Sequence, residues 1–519
     1  MADVLGDIPK KHAHLDPERE CLVCGENRFT WKQHNERVNR LANGLAEMGV
    51  GKETKVAALL LNCHKYLEIY YAVAKLGAAT VPLNFRLSPD DLDYVINHSD
   101  AGVLMVGADF LEVAKSVLPK LENVKRLVSL DTPEEGWIYY EDMLSNSSDA
   151  EPDVEVNEED LCQLQYTGGT TGLPKGVMLT HRNYMTAAIG MLMSNYFDKN
   201  DATLQVLPIF HTAWWPALIH HYAGGRAVIA RRFDFNEILS MAEKERVTHV
   251  NMVPILFSWL LDFPDLDKYD LSSIKYLTYA GAPMPADLMK RCIEKFGPIF
   301  QQGYGLTEAA PLVTILKEED QCRLEGPPEL TRRLSSAGRE SLVTEARLVD
   351  DEDRDVPVGE VGEIVVRGKN VMRGYWKDPV LTKQALRGGW LHTGDLATAD
   401  EHGFLYIVDR KHDMIITGGE NVYPFEVEKV LYEHPAVLEA AVVGLQDKTW
   451  GEAVTAVVAL KQGAEATEEE LIGFVRERLA GYKTPKKIVF MESIPKTPIG
   501  KILRRQVREM LSSPDAPVE

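Results

Sequence analysis

Six cysteines in 519 residues are few, and they are scattered. Cys21 and Cys24 form a C-x-x-C, but no second pair and no histidine pair at metal spacing follows. Two reduced thiols on an early strand are therefore expected, not a zinc site. Cys63, Cys162, Cys292 and Cys322 stand apart, as in a chain kept in a reducing compartment. No apolar run is long enough to span a bilayer. MADVLGDIPKKH has no apolar signal core, and PDAPVE carries no peroxisomal or prenylation signal. The expectation is a cytoplasmic protein with no transmembrane segment, for which peripheral membrane contact stays open. Positive charge is in deficit: 57 Lys and Arg face 78 Asp and Glu, a net charge of −21. That excludes a general nucleic-acid binder, which needs a dominant basic face. A chain this acidic must gather its basic residues locally to hold an anionic ligand. Residues 476–508 do so, with ten Lys or Arg against two Glu. No internal repeat is evident.

What is present is a strand–helix alternation over a length that calls for several domains. RFTWKQHNERVNRLANGLAEMGV (28–50) predicts a short strand and an amphipathic helix, with Trp31, Val38, Leu41, Leu45 and Met48 at helical spacing. KVAALLL (55–61), AGVLMVG, RLVSL, RAVIARR, VTHVNMVP and IKYLTYAGAP read as buried strands between helices. That is an α/β class with largely parallel sheets. After about residue 335, TEARLVD, VGEIVVRG and GFLYIVDR predict a small β-rich subdomain. MIITGGENVYPFEVEKVLYEHP then predicts a strand, a Gly-Gly turn and a helix starting near Pro424, followed by mixed α+β structure.

The chemistry begins at YTGGTTGLPKGVMLTH (166–181). The run LCQLQY leads into it and GVMLTH resumes as a strand, so 167–176 is a glycine-rich turn between strands. Backbone N–H groups in such a turn can converge on an anion, with Thr167, Thr170 and Thr171 adding hydroxyls and Lys175 adding charge. It is not a Walker A loop, because Lys175 follows Pro174 and precedes Gly176. Four further stretches follow in order: YGLTEAAP (304–311), GWLHTGDLA (389–397) with Asp395 in a glycine turn, VDRKHDMIITGGENVYP (408–424) and PKTPIGKILRR (495–505).

In this order and spacing, the five stretches resemble the core motifs of the adenylate-forming superfamily and, within it, the acyl-CoA synthetases. The resemblance covers nearly the whole chain. It implies a large N-terminal domain over 1–409 with two α/β sheets and the β-rich subdomain, a hinge at 410–413, and a small mobile α+β domain over 414–519. It also implies a two-step reaction. A carboxylate attacks the α-phosphorus of ATP to give acyl-AMP and pyrophosphate, and the thiol of coenzyme A then takes the acyl group. No general base is needed for the first step, since a carboxylate is already ionised; charge neutralisation and in-line positioning are.

Carried over by motif, Thr167, Gly168, Gly169, Thr170, Thr171, Gly172 and Lys175 would cradle the β- and γ-phosphates. Thr307 would donate to the α-phosphate, and Glu308 would hold Mg²⁺. Tyr304 would stack on adenine, with Gln302, Gly303, Gly281, Ala282 and Pro283 beside the nucleotide. Asp395 would bind the ribose hydroxyls with support from Arg410. Lys501 would bridge the carboxylate and α-phosphate, Gly418 and Gly419 would line the pantetheine path, and His211 would orient or gate the acid. His412 stands at the hinge where the family usually has aspartate or lysine. Gly168 replaces a serine common among relatives, as in some bacterial fatty-acyl-CoA synthetases. Gly305 stands where acetate-activating relatives have tryptophan, which implies room for a larger acid. FHTAWWPALIHH (210–221) corresponds to the acyl-site segment and has no aspartate to pair an α-amine. An apolar monocarboxylic acid is expected, with a medium- or long-chain fatty acid first. Aryl or alicyclic acids come next, because Trp214 and Trp215 could shorten the pocket. A ligase that loads a carrier protein instead of coenzyme A is the further alternative. A homodimer is an allowed assembly.

Overall fold

The computed structural model describes residues 3–168, 173–282, 284–321, 324–496 and 502–512, the side chain of Glu329 excepted. Two compact units emerge, Met1–Ala346 with Val366–Leu391, and Arg347–Val365 with His392–Glu519. Residues 410–413 fall inside the second.

The first unit is α/β, as the alternation predicts, and among the described residues it holds two large sheets. One has nine strands, with Phe300–Tyr304, Tyr276–Ala280, His249–Met252, Ala202–Gln205, Arg226–Ile229 and Glu20–Cys24 as a parallel run at its centre. Strand alternation gives it two unlike faces. Leu204, Val250, Leu277 and Phe300 form an apolar layer with Ile238, Phe257 and Met289 from the covering helices. Thr203, Gln205, His249, Asn251 and Thr278 on the other face are buried and polar. His249 there stacks on His220 of the helix Trp215–Ala223, ring centroids 5.1 Å apart. The parallel strands end at Met252, Ala280 and Tyr304. Carboxyl ends of parallel strands are where α/β proteins place ligands.

The second large sheet has eight strands and ends in the hairpin Leu161–Thr167 and Lys175–Thr180, edged by the two-residue strand Gly374–Tyr375. The helix Trp31–Glu47 starts on a capping box between Thr30 and Gln33, and it buries Trp31, Val38, Leu41 and Leu45 as its spacing predicts. Cys21 and Cys24 lie on the strand Glu20–Cys24 as buried free thiols.

The second unit holds a four-stranded sheet, which includes Leu391–Ala399 and Leu405–Arg410, and a five-stranded one. In the latter the long hairpin Val437–Asp447 and Gly451–Leu460 carries the helices Pro424–Tyr432 and Glu468–Arg476 on one face, through Val427, Leu431, Leu471 and Val475. Val507 of Arg504–Ser512 packs with Val443 and Val457 in a separate cluster. One local expectation is refined. After Gly418 and Gly419 the chain makes a second strand, Glu420–Val422, before the helix. Both glycines have positive φ, 59° and 84°, which suits a two-residue hairpin turn.

Candidate active site

Thr167 pairs with Lys175 across the hairpin, so they close the glycine-rich loop. Gly168 is exposed, while Gly169, Thr170, Thr171 and Gly172 lie outside the described residues. Below the loop, Tyr166 O–H meets Nδ1 of His98 at 2.7 Å. Beside it, Gly374–Tyr375 pairs antiparallel with the Lys175–Thr180 strand, Tyr375 opposite Val177. The Lys175 ammonium stands 5.9 Å from the centroid of the Tyr375 ring. The Tyr375 hydroxyl donates to Oε1 of Glu308 at 2.8 Å. Burial and the nearby Glu308 charge push the Tyr375 phenol above its ordinary range, so it stays a proton-bearing donor. Lys175 and Glu308, of opposite charge and 133 residues apart in sequence, thus meet on one tyrosine.

Glu308 sits in the 3-10 turn Thr307–Ala309, which closes with Ala310 in the left-handed region at φ 55°. Asn370 pins this turn by donating to the carbonyls of Ala309 at 2.8 Å and Leu312 at 2.6 Å. Met372 N–H donates to the Glu308 carbonyl at 2.8 Å. Among the described residues no group of three or more His, Cys, Asp or Glu could hold a metal by itself. A single half-buried carboxylate fits a hard cation shared with substrate phosphates, which is how Mg²⁺ is usually bound.

Gly281, at φ 84°, and Ala282 follow the strand Tyr276–Ala280, and Pro283 lies outside the described residues. Ala280 pairs in register with Gly303, which brings Gly281 level with Tyr304. A Cβ on Gly303 would meet nothing within 4 Å among the described residues, so that side of the strand is open to them. Gln302 is different. Its side chain turns inward and accepts from the Tyr279 hydroxyl at 3.0 Å, so only its backbone faces the strand edge. Gly305 has a local reason to be glycine: a Cβ there would come within 1.5 Å of the Pro311 carbonyl oxygen. Its identity reports a close crossing of two backbones before it reports the size of any acid. His211 is half-buried, its Nδ1 3.2 Å from the Thr212 hydroxyl. Gln165 of the hairpin donates to the neighbouring Phe210 carbonyl at 2.7 Å. Trp214 is wholly buried against Tyr70 and Tyr184, and Trp215 tilts onto His249.

In the second unit Asp395 lies within a nine-residue strand, not in a turn, because Gly394 at φ 72° bends the strand without ending it. It pairs in register with Arg410, whose Nε is 3.2 Å from Asp395 Oδ1. Buried Glu363 accepts from Gly394 N–H at 3.1 Å and from Lys411 Nζ at 3.1 Å. Gly418 N–H donates to the Trp450 carbonyl, and Lys486 Nζ lies 4.8 Å from the Trp450 ring centroid. Lys501 lies outside the described residues. Much of the basic run is paired internally: Arg504 with Glu428, Asp413 and Asp409, Lys483 with Glu426, and Lys496 with Glu439.

A sequence profile described as "AMP-binding enzyme" matches residues 9–376, and one described as "AMP-binding enzyme C-terminal domain" matches 426–501. The chain belongs to the AMP-binding enzyme family. Within it the chain is an acid–thiol ligase of the acyl-CoA synthetase type. It is 40% identical over 509 residues to a feruloyl-CoA synthase of an Amycolatopsis species, covering 97% of this chain and 98% of that one. It is 34% identical over 509 residues to a long-chain-fatty-acid–CoA ligase of Mycobacterium tuberculosis, covering 97% and 96%. The crystal structure of an anthranilate CoA ligase in complex with anthranoyl-AMP superposes with a TM-score of 0.88 at 27% identity, over 98% of this chain and 96% of that one. No helix among the described residues is long and apolar enough to cross a membrane.

For an acyl-CoA synthetase, three residues near the motifs escaped the sequence reading: Asn370, Tyr375 and Glu363. Their only local signals are a polar residue in VRGKNVM, a Gly-Tyr ahead of the Asp-Pro helix start at Asp378, and a charge inside the apolar run GEIVV.

Proposed function

We propose that this ligase activates an apolar monocarboxylic acid with ATP and Mg²⁺ and transfers the acyl group to coenzyme A. The observation that carries the reading is the meeting of Lys175 and Glu308 on Tyr375 beside the glycine-rich hairpin. It sets a cation for leaving phosphates next to a hard oxygen ligand, the pairing that nucleotidyl transfer requires. Bound at Glu308, Mg²⁺ would neutralise phosphate charge. In this reading the loop 167–175 grips the pyrophosphate end of ATP, and Thr307 donates to the α-phosphate. Tyr304 stacks on adenine across the open side at Gly303, and Asp395, braced by Arg410, accepts from the ribose hydroxyls. Lys501 bridges carboxylate and α-phosphate, and the chain pivots at 410–413 between the two half-reactions. Gly418, Trp450 and Lys486 form the group best suited to coenzyme A.

For the acid, an aryl-substituted one ranks first. The support is the 40% full-length identity to a feruloyl-CoA synthase. A fatty acid is second, supported by the 34% identity to a long-chain ligase over the same span. ATP-dependent consumption of coenzyme A should be measured across ferulate, benzoate, cyclohexanecarboxylate and straight-chain acids. The aryl propenoic acid is expected to lead in kcat/KM by about tenfold or more, a gap of roughly 1.4 kcal/mol. A straight-chain acid ahead of it would reverse the ranking. AMP release with no thioester would point to a carrier-protein acceptor.

A further inference from the structure

We propose that Tyr375 is a positioning residue for adenylation: it presets Glu308 for the metal and holds Lys175 apart from it. The proposal rests on the assignment of Glu308 as the Mg²⁺ ligand. Glu308 Oε1 takes the phenolic hydrogen at 2.8 Å, leaving Oε2 for a second ligand. A glutamate ordered only on metal binding would lose rotamer freedom at that moment; one already ordered does not. A partner that orients a ligating carboxylate in this way typically changes metal affinity by an order of magnitude or more.

The tyrosine is itself held on both sides. Its strand pairs with the hairpin, and Trp376 N–H donates to the Gly176 carbonyl at 2.7 Å. Its own N–H donates to the Thr382 hydroxyl at 2.8 Å. Gly374 lies so close to Thr382 that a Cβ there would come within 2.5 Å of its methyl. The backbone that carries the phenol therefore has little freedom to drift. The placement has a second consequence. Lys175 stands 5.9 Å from the ring centroid and Glu308 at the hydroxyl, so a neutral tyrosine offers each an alternative to pairing with the other. Such a pair would have to break before Lys175 met phosphate and Glu308 met metal.

The test is an equilibrium one. Mn²⁺ is titrated, with EPR detection, into the enzyme holding α,β-methylene-ATP, for the wild type, Tyr375→Phe and Glu308→Gln. Tyr375→Phe keeps the ring and is expected to weaken Mn²⁺ about tenfold. The Mg²⁺ concentration giving half-maximal adenylation should rise by the same factor, with kcat at saturating Mg²⁺ within about twofold. Unchanged Mn²⁺ affinity in Tyr375→Phe beside a weakened Glu308→Gln would overturn the proposal and leave the Glu308 assignment standing. No change in either variant would remove that assignment and the proposal with it. A lowered melting temperature with unchanged Mn²⁺ affinity would mark Tyr375 as merely structural, also against the proposal.

Discussion

Gly303 and Gly305 stand two residues apart in one motif and answer to different demands. Beside Gly303 lies open space, whereas a Cβ on Gly305 would overlap the Pro311 carbonyl. Alanine at 305 must push two backbones apart, and overpacking of that kind costs roughly 1–3 kcal/mol or more. Gly305→Ala is accordingly expected to lower the thermal unfolding midpoint by several degrees. Gly303→Ala should leave that midpoint unchanged and raise KM for ATP, because the methyl would intrude only where the nucleotide is proposed to pass. Equal melting temperatures for the two variants would sink the distinction. The missing side chain at 305 also fits the chain that crosses it there.

At the scale of elements, periodicity made the strand–helix alternation and the closing hairpin of the glycine-rich loop legible, because both are local patterns. The contacts that aim the motifs were not legible. Tyr375 reaches Glu308 across 67 residues, and Asn183 holds the carbonyls of Lys369 and Val371 across 186 and 188. Nothing in a short window encodes such partners. Nor did the motif reveal that Gln302 faces inward to Tyr279, since that depends on which face of the sheet its helices cover. Glu363 is the clearest case in the second unit. It fixes Gly394, next to Asp395, and Lys411, next to Arg410, so one buried carboxylate keeps the register of the strand pair that presents both. Glu363→Ala strips Gly394 N–H of its acceptor while Lys411 keeps Asp351 at 2.7 Å, so the change should cost about 1–2 kcal/mol, read as a lower urea midpoint. Glu363→Gln retains an acceptor for Gly394 N–H, so KM for ATP should stay closer to the wild type than in Glu363→Ala. Identical KM values in the two variants would show that the strand register does not depend on that bond.

For the molecule as a whole, the first unit carries a set of buried histidines that ties its stability to pH. Burial lowers His34, His181 and His220 to about 4, and it takes His221 and His249 well below the usual imidazole value. Among the described residues neither ring nitrogen of His34 has a hydrogen-bond partner, and its ring meets Tyr71 and His221 edge-on. Each is neutral when folded and titrates near 6.5 when unfolded. Below that value the unfolded chain binds more protons, so stability is full above about pH 6.5 and falls as pH drops toward 4. Well inside that window each such histidine contributes roughly 1.4 kcal/mol per pH unit. Glu68, beside His34 and His64, is held at about 2 by burial offset by the Arg37 pairing, and it loses its share only below the ordinary carboxylate range. The interval from pH 6.5 to 5 therefore reports mainly on the histidines. Urea midpoints across it should fall steeply, and His34→Phe, which keeps a ring in the cluster, should flatten the slope by about one proton's worth. A slope unchanged by His34→Phe would mean that this histidine is not held neutral in the folded protein.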